Sequence, residues 1–345
     1  MPTARAPGRV TLIGEHTDYN AGLSLPMAIE LATEATFTPR AGTFLVGITS
    51  DQFPGMTEIP LRGPTASLPP HARLAASIVE LAELGTGGEV HVTSTVPVGS
   101  GLSSSAAFSV ALFLALGTPA DPRTVALACQ AAEAAAGAAV GLLDPLAIMG
   151  GSAGHALHID FATLEMRPVP VPAQAAFVVV HCGASRQLSG SPYATRRAEC
   201  ERAANQIGRP LGLCNVSDLS VLSDPVLRRR ARHVITECAR VREVERLLAR
   251  GNLAGVGAVM TDGHRSLAGD YKASIPALEE LVEFLLTTPG VLGARMTGGG
   301  FGGCAIALCT PDSPALDLAR YAPRRAWRVS PSPGAALLAT SPPGR

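Results

Sequence analysis

The sequence predicts an α+β fold divided into two domains, and three observations carry that prediction. Strand-like and helix-like segments cluster along the chain and do not strictly alternate, which sets the pattern apart from a doubly wound parallel sheet. At 345 residues the chain exceeds one ordinary core. A proline-rich stretch, "RPVPVPA" at Arg167–Ala173, parts two strand-like segments and reads as a seam, giving domains of residues 1–168 and 169–345.

The elements follow in order. "RVTLIG" (Arg9–Gly14) and "LSLPMAI" (Leu23–Ile29) read as strands joined by the polar turn "EHTDYNAG". Further strand-like pieces fall at Thr36–Phe37, Phe44–Ile48 and Glu89–Val96, with Gly and Pro between them. A helix at Ala72–Leu84 stops before Gly85, a second spans Ser104–Leu116, and Asp121-Pro122 caps and opens a third through Ala136. Beyond Gly150, His155–Phe161 and Ala176–Cys182 are strand-like. Helices are expected at Pro192–Ile207, Asp224–Ala249, Leu253–Leu267 and Ile275–Leu286, followed by a strand at Cys304–Cys309 and an edge strand around "AWRVSP".

Composition narrows the function classes. The chain is 47% hydrophobic and 16% charged, with 28 basic and 28 acidic residues, which excludes bulk disorder and any general attraction to nucleic acid or an anionic membrane. Lys272 is the sole lysine, so contact with a phosphate must rest on arginine, backbone N–H groups, helix ends or metal. Seven cysteines, an odd number without a C-x-x-C pair, argue against a disulfide framework or structural zinc. The N-terminus has no signal-peptide pattern, and no uncharged apolar run reaches 18 residues, so a soluble cytoplasmic protein is expected.

Four segments can carry chemistry. "VPVGSGLSSSAAF" (Val96–Phe108) places Gly99 and Gly101 before three serines at a helix start, where free N–H groups and the helix dipole favour an anion. The same serines can equally be plain helix caps, and the loop lacks the lysine of a Walker sequence. In "PGRVTLIGEHTDYN" (Pro7–Asn20), Glu15, His16 and Asp18 crowd one turn, either as a solvated hairpin or as a reader of a polyhydroxylated ligand. Asp144 is the only charge in "VGLLDPLAIMGG" (Val140–Gly151), a helix cap or a buried functional carboxylate, and Glu133 is the only acid of its alanine-rich helix. Finally, "RMTGGGFGGCAIAL" (Arg295–Leu308) holds five glycines between Gly298 and Gly303, more than a turn requires, so the backbone there passes close to a ligand or another loop.

In this order and spacing the segments resemble the GHMP kinases and, among them, the galactokinases. The turn segment through Ile29 resembles the galactokinase signature, "VPVGSGLSSSAA" the family's phosphate loop and "RMTGGGFGGC" its third motif. "SPYATRRAECE" (Ser191–Glu201), "RRARHVITE" (Arg229–Glu237) and "DGHRSLAGDY" (Asp262–Tyr271) are also similar to galactokinases. The resemblance implies a two-domain GHMP kinase with its active site in the cleft between domains. It implies transfer of the γ-phosphoryl of ATP, with Mg²⁺, to the anomeric hydroxyl of galactose. By the same resemblance Asp144 and Arg9 are catalytic, and Glu15, His16, Asp18, Gly141 and Tyr193 contact the sugar. Pro97, Gly99, Ser100, Gly101, Leu102, Ser103, Ser104, Ser105 and Ala106 form the ATP loop, with Ser104 and Glu133 as metal ligands. A monomer is expected. A kinase for a related sugar such as N-acetylgalactosamine or arabinose, or a non-catalytic sensor of galactose and ATP, is the alternative. The chain departs from the family in Pro145, in the spacing of Glu133 to Asp144, and in His71 and Leu74 where relatives usually carry tryptophan and tyrosine.

Overall fold

The structure is a computed structural model and describes residues 1–63, 68, 70–117, 121–137, 141–184 and 192–338; the side chain of His71 and the residue Ser191 lie outside it. The first half builds one mixed sheet from β1 (Thr3–Ile13), β2 (Leu23–Pro39), β3 (Leu45–Ser50), β4 (Phe53–Pro60) and β5 (Gly88–Ser94). β6 (His155–Asp160) and β7 (Glu165–Pro170) extend it, and β12 (Ala336–Leu338) closes its edge. The path runs β12-β1-β2-β5-β3-β4, antiparallel except for β3 beside β5. The second sheet is antiparallel, in the order β11-β8-β10-β9, from β8 (Ala176–His181), β9 (Val291–Thr297), β10 (Cys304–Cys309) and β11 (Ala326–Val329).

Helices α1 (Pro70–Leu81), α2 (Ser104–Ala115), α3 (Pro122–Ala135) and α4 (Leu143–Met149) accompany the first sheet; α5 (Pro192–Ile207), α6 (Pro225–Ala249), α7 (Leu253–Ser266) and α8 (Pro276–Leu286) accompany the second. α2 is apolar on nearly every side, so it is buried against β1, β2 and its neighbouring helices. That burial fixes the helix start on which the serine loop ends. α6 packs against α5 and α7 and also reaches β1 and β2. The larger core therefore runs between the sheets, with Val179 and Ile306 of the second joining Leu12 and Leu25 of the first.

Several elements differ from the sequence reading. The pieces at Leu23–Ile29 and Thr36–Phe37 are one 17-residue strand, because β2 pairs with β1 along most of its length and with β5 along its second half. The helix from Ala72 begins at Pro70 and ends at Leu81. The proline-rich seam is β7, and the 168/169 division falls inside it. Pro168 and Pro170 are accommodated because β7 pairs only with β6. The tail does not stay with the second sheet: Thr3–Arg5 pair with Ala336–Leu338. Gly154 holds both passages between the sheets, its N–H donating to the carbonyl of Pro331 and its carbonyl accepting from Val171 N–H. Asp121 caps α3 as expected, accepting from the N–H groups of Arg123 and Thr124. All seven cysteines are buried and unpaired. Among the described residues no helix is long and apolar enough to cross a membrane.

Candidate active site

The turn after β1 is held from below. Gly14 has φ +97° and lies so close to β2 that a Cβ would sit 2.4 Å from the Cα of Ser24. Its N–H donates to Oε1 of Glu237, at 2.9 Å, and Arg295 donates to the same oxygen at 2.8 Å. Glu237 and Arg295 are fully buried, and Arg240 donates to the other carboxylate oxygen. Burial opposes the charge of Glu237, but Arg295 and Arg240 outweigh it and hold the carboxyl well below its usual range. His233 completes the support, with Nε2 3.2 Å from the Glu15 carbonyl and Nδ1 2.9 Å from the Ser266 hydroxyl. Burial lowers its pKa to about 4, so the ring is neutral; Nε2–H donates to the carbonyl and Nδ1 accepts from serine.

On this support the turn presents its polar side chains. Glu15 accepts from the N–H of Gly298, at 2.6 Å, which ties the first motif to the glycine cluster; burial raises its pKa against the pull of Arg9 and Arg295. His16 takes a left-handed φ of 63° and packs its ring between Tyr193 and Tyr271, with centroids 5.4 and 4.5 Å away. Asp18 opens a short 3₁₀ turn, and its pKa rises to about 7, first through burial and then through the charge of Asp144. Its carboxylate lies against Gly141, where a Cβ would fall 1.4 Å from Oδ2. The five expected sugar-contacting residues thus come together around one turn.

The serine loop packs on the same strand. Its left-handed residues alternate, Gly99 at 71°, Gly101 at 80° and Ser103 at 66°, which curls the backbone ahead of α2. Ser100 donates to the carbonyl of Pro97, while the Leu102 carbonyl accepts from Arg9 N–H. Gly303 comes so near that a Cβ there would meet the Ser100 carbonyl at 2.6 Å. The glycine cluster is therefore a close-approach site between loops. Ser103 occupies the N-cap position of α2 without making a side-chain cap, and its buried hydroxyl has no partner among the described residues. Plain capping does not account for this serine, whereas an anion at the helix start would accept a hydrogen bond from its hydroxyl.

Asp144 is not a cap either. The N-cap of α4 is Leu142, and Asp144 stands in its first turn, where Pro145 costs no hydrogen bond. Arg9 donates from Nε and from Nη2 to the same oxygen, Oδ1, at 2.8 and 2.5 Å. The arginine side chain is 4% exposed and the aspartate 34%, so Arg9 backs the carboxylate from inside and the carboxylate stays partly open to solvent. Nη1 of Arg9 donates to the Gly101 carbonyl, at 2.6 Å, so one guanidinium links Asp144 to the serine loop.

Glu133 is buried, and its pKa is pushed up to about 7 by burial and by the charge of Asp144. Ser105 and Ser109, one helical turn apart on α2, lie beside its carboxylate. Ser104, the expected ligand, is the first residue of the same helix. Two carboxylates that repel each other, with the exposed Ser105 and the buried Ser109 beside one of them, make a hard oxygen donor set that suits a divalent cation such as Mg²⁺.

The sequence reading missed Glu237, His233, Arg295, Tyr19 and Tyr271. Glu237 carried a signal: it falls on the apolar stripe of α6 at helical spacing from Val234, Val241 and Val244. Tyr271 closes the segment Asp262–Tyr271 but carried no periodicity signal, because a single turn of π-helix at Leu267–Tyr271 changes the phase of α7.

Comparison with known proteins is consistent with this layout. The galactokinase galactose-binding signature matches residues 2–39, the GHMP kinases N terminal domain residues 72–152 and the GHMP kinases C terminal domain residues 244–328. Human galactokinase is 40% identical over 324 residues, covering 88% of this chain and 82% of that protein. The galactokinase of Chloroflexus aurantiacus is 39% identical over 328 residues, covering 90% and 84%. Lactococcus lactis galactokinase, solved in complex with galactose, superposes with a TM-score of 0.87 at 28% identity over 98% of this chain and 95% of that one. Mevalonate kinase from Methanococcus jannaschii, at 17% identity and a TM-score of 0.67 over 96% and 98%, shares the fold.

Proposed function

The chain belongs to the galactokinase family of GHMP kinases, and from that membership we infer that it phosphorylates galactose with ATP, giving α-D-galactose 1-phosphate and ADP. The reaction needs positioning and charge neutralisation more than covalent help. Asp144 is the proposed catalytic carboxylate. Supporting this reading is the Arg9–Asp144 pair, in which both arginine donors take Oδ1 and leave Oδ2 to orient the anomeric hydroxyl and receive its proton. Arg9, bonded also to the Gly101 carbonyl, would balance charge on the phosphoryl oxygens that the serine loop receives.

Glu15, His16, Asp18 and Tyr193 are proposed to read the sugar hydroxyls, with Gly141 giving Asp18 the room it occupies. Residues Pro97–Ala106 are proposed to hold the ATP phosphates at the start of α2. Mg²⁺ would be held by Glu133 with a serine of the α2 start, and when bound it neutralises negative charge on the transferring phosphate. A cytoplasmic monomer is also proposed, to be tested by cell fractionation and by light scattering of the purified protein.

The deciding experiment is ADP release measured with galactose, N-acetylgalactosamine, glucose, arabinose and mevalonate. Turnover is expected with galactose at the highest kcat/KM. Preference for another acceptor would reassign the substrate, and ATP binding without turnover on any of them would make the protein a sensor.

A further inference from the structure

We propose that Tyr19 and Tyr271 form a two-hydroxyl relay that fixes the tautomer of His16, so that Nε2 carries the hydrogen and donates it to a hydroxyl of the sugar. The proposal rests on the reading of His16 as a sugar-contacting residue. Nδ1 of His16 lies 2.8 Å from the Tyr19 hydroxyl, which lies 2.6 Å from the Tyr271 hydroxyl, itself 3.2 Å from the Cys200 sulfur. Tyr271 and Cys200 are wholly buried. Burial raises both phenols well above their ordinary pKa and the thiol to about 11, so all three groups keep their hydrogens.

A chain of two hydroxyls between an imidazole and a thiol can run in two directions. Run toward the sulfur, it would spend a strong phenol donor on a weak acceptor. Run toward the ring, Cys200 to Tyr271 to Tyr19 to Nδ1, it ends on the best acceptor of the four. The second direction places the His16 hydrogen on Nε2. The relay is built to hold still. The π-helical turn that carries Tyr271 is bonded by Arg196, whose Nε donates to the Tyr271 carbonyl at 2.8 Å, and by Arg230, which donates to the carbonyl of Asp270. Glu199 receives both arginines. The motif segments around α5 and α6 thereby bear on the ring through the turn that carries Tyr271.

The test uses the full chain labelled with ¹⁵N-histidine, the His16 nitrogens being identified by comparison with His16→Gln. The parent protein is expected to show a protonated Nε2 and an unprotonated Nδ1. Tyr19→Phe should mix the tautomers and raise KM for galactose about tenfold, as the loss of one buried donor would. Both kcat and KM for ATP should stay within about twofold, as expected where only ground-state sugar binding is lost. Tyr271→Phe should act in the same direction, and it keeps the proposal testable if Tyr19→Phe does not fold. In the His16→Gln background, Tyr19→Phe should change KM no further. A hydrogen on Nδ1 in the parent, or a tautomer that ignores both tyrosine variants, overturns the relay. A tautomer that shifts while KM for galactose stays constant overturns the donor role and the placement of His16 in the sugar site together.

Discussion

Asp18 and Gly141 lie so close that a Cβ at position 141 would fall 1.4 Å from Oδ2 of the aspartate. The glycine therefore acts through the aspartate it admits. Gly141→Ala should displace Asp18 and raise KM for galactose about tenfold or more, since small displacements of positioned groups are costly. KM for ATP should hardly move. Steady-state kinetics in both substrates, with a thermal melt to establish folding, checks this; equal losses for both would point to general damage.

Asp144→Asn keeps the shape of the side chain and removes its ability to take a proton. Turnover should fall at least about a hundredfold while the protein still binds galactose and ATP. Single-turnover ADP formation and calorimetric binding, run on the same sample, separate chemistry from binding. Retention of near-parental turnover would remove Asp144 from the mechanism.

The cation reading separates Ser104 from Ser105. Glu133→Gln should raise the Mg²⁺ concentration for half-maximal activity about tenfold. Because Ser105 lies beside that carboxylate, Ser105→Ala should move the Mg²⁺ requirement in the same direction and by more than Ser104→Ala. Titration of activity with Mg²⁺ at saturating ATP ranks the three variants.

Asp18 also predicts a pH dependence. Its pKa rises from 3.8 unfolded to about 7 folded, so in that window the folded protein holds a proton that the unfolded chain has released. The stability contributed is full below the lower value and is lost as pH rises through the higher one. Asp18→Asn abolishes this loss, so the variant's Tm should exceed the parent's at about pH 8 and the gap should shrink toward about pH 5. Melts without ligand across that range provide the comparison, and a gap that does not change with pH would count against the buried aspartate.

Much of the site was legible because its residues are local. The serine loop, the first turn and the glycine cluster each keep their motif within about a dozen residues; that they meet was implied by the resemblance to GHMP kinases, and the contacts of Glu15 with Gly298 and of Gly303 with Ser100 bring them together. Asp144 was ambiguous for a physical reason: Asp-Pro opens a helix whether the carboxylate caps it or not, and its pairing with Arg9 on a distant strand is not visible in the local sequence. Pro168 and Pro170 suggested a seam because proline removes donors, yet an edge strand tolerates that loss. Glu237, His233 and Arg295 meet beneath Gly14 and Glu15 through tertiary packing of α6 and β9, which no short window contains.

The clip at Gly154 bears on how the two halves can move. The chain passes from the first sheet to the second and later returns, and one residue hydrogen-bonds both passages. A body joined to another by two neighbouring tethers cannot swivel freely; it can only rock about the line the tethers define. The apolar core between the sheets resists even that rocking. One proteolytic cut in either passage would leave the halves together, nicked but still docked, and a circular permutant opened at such a cut should fold.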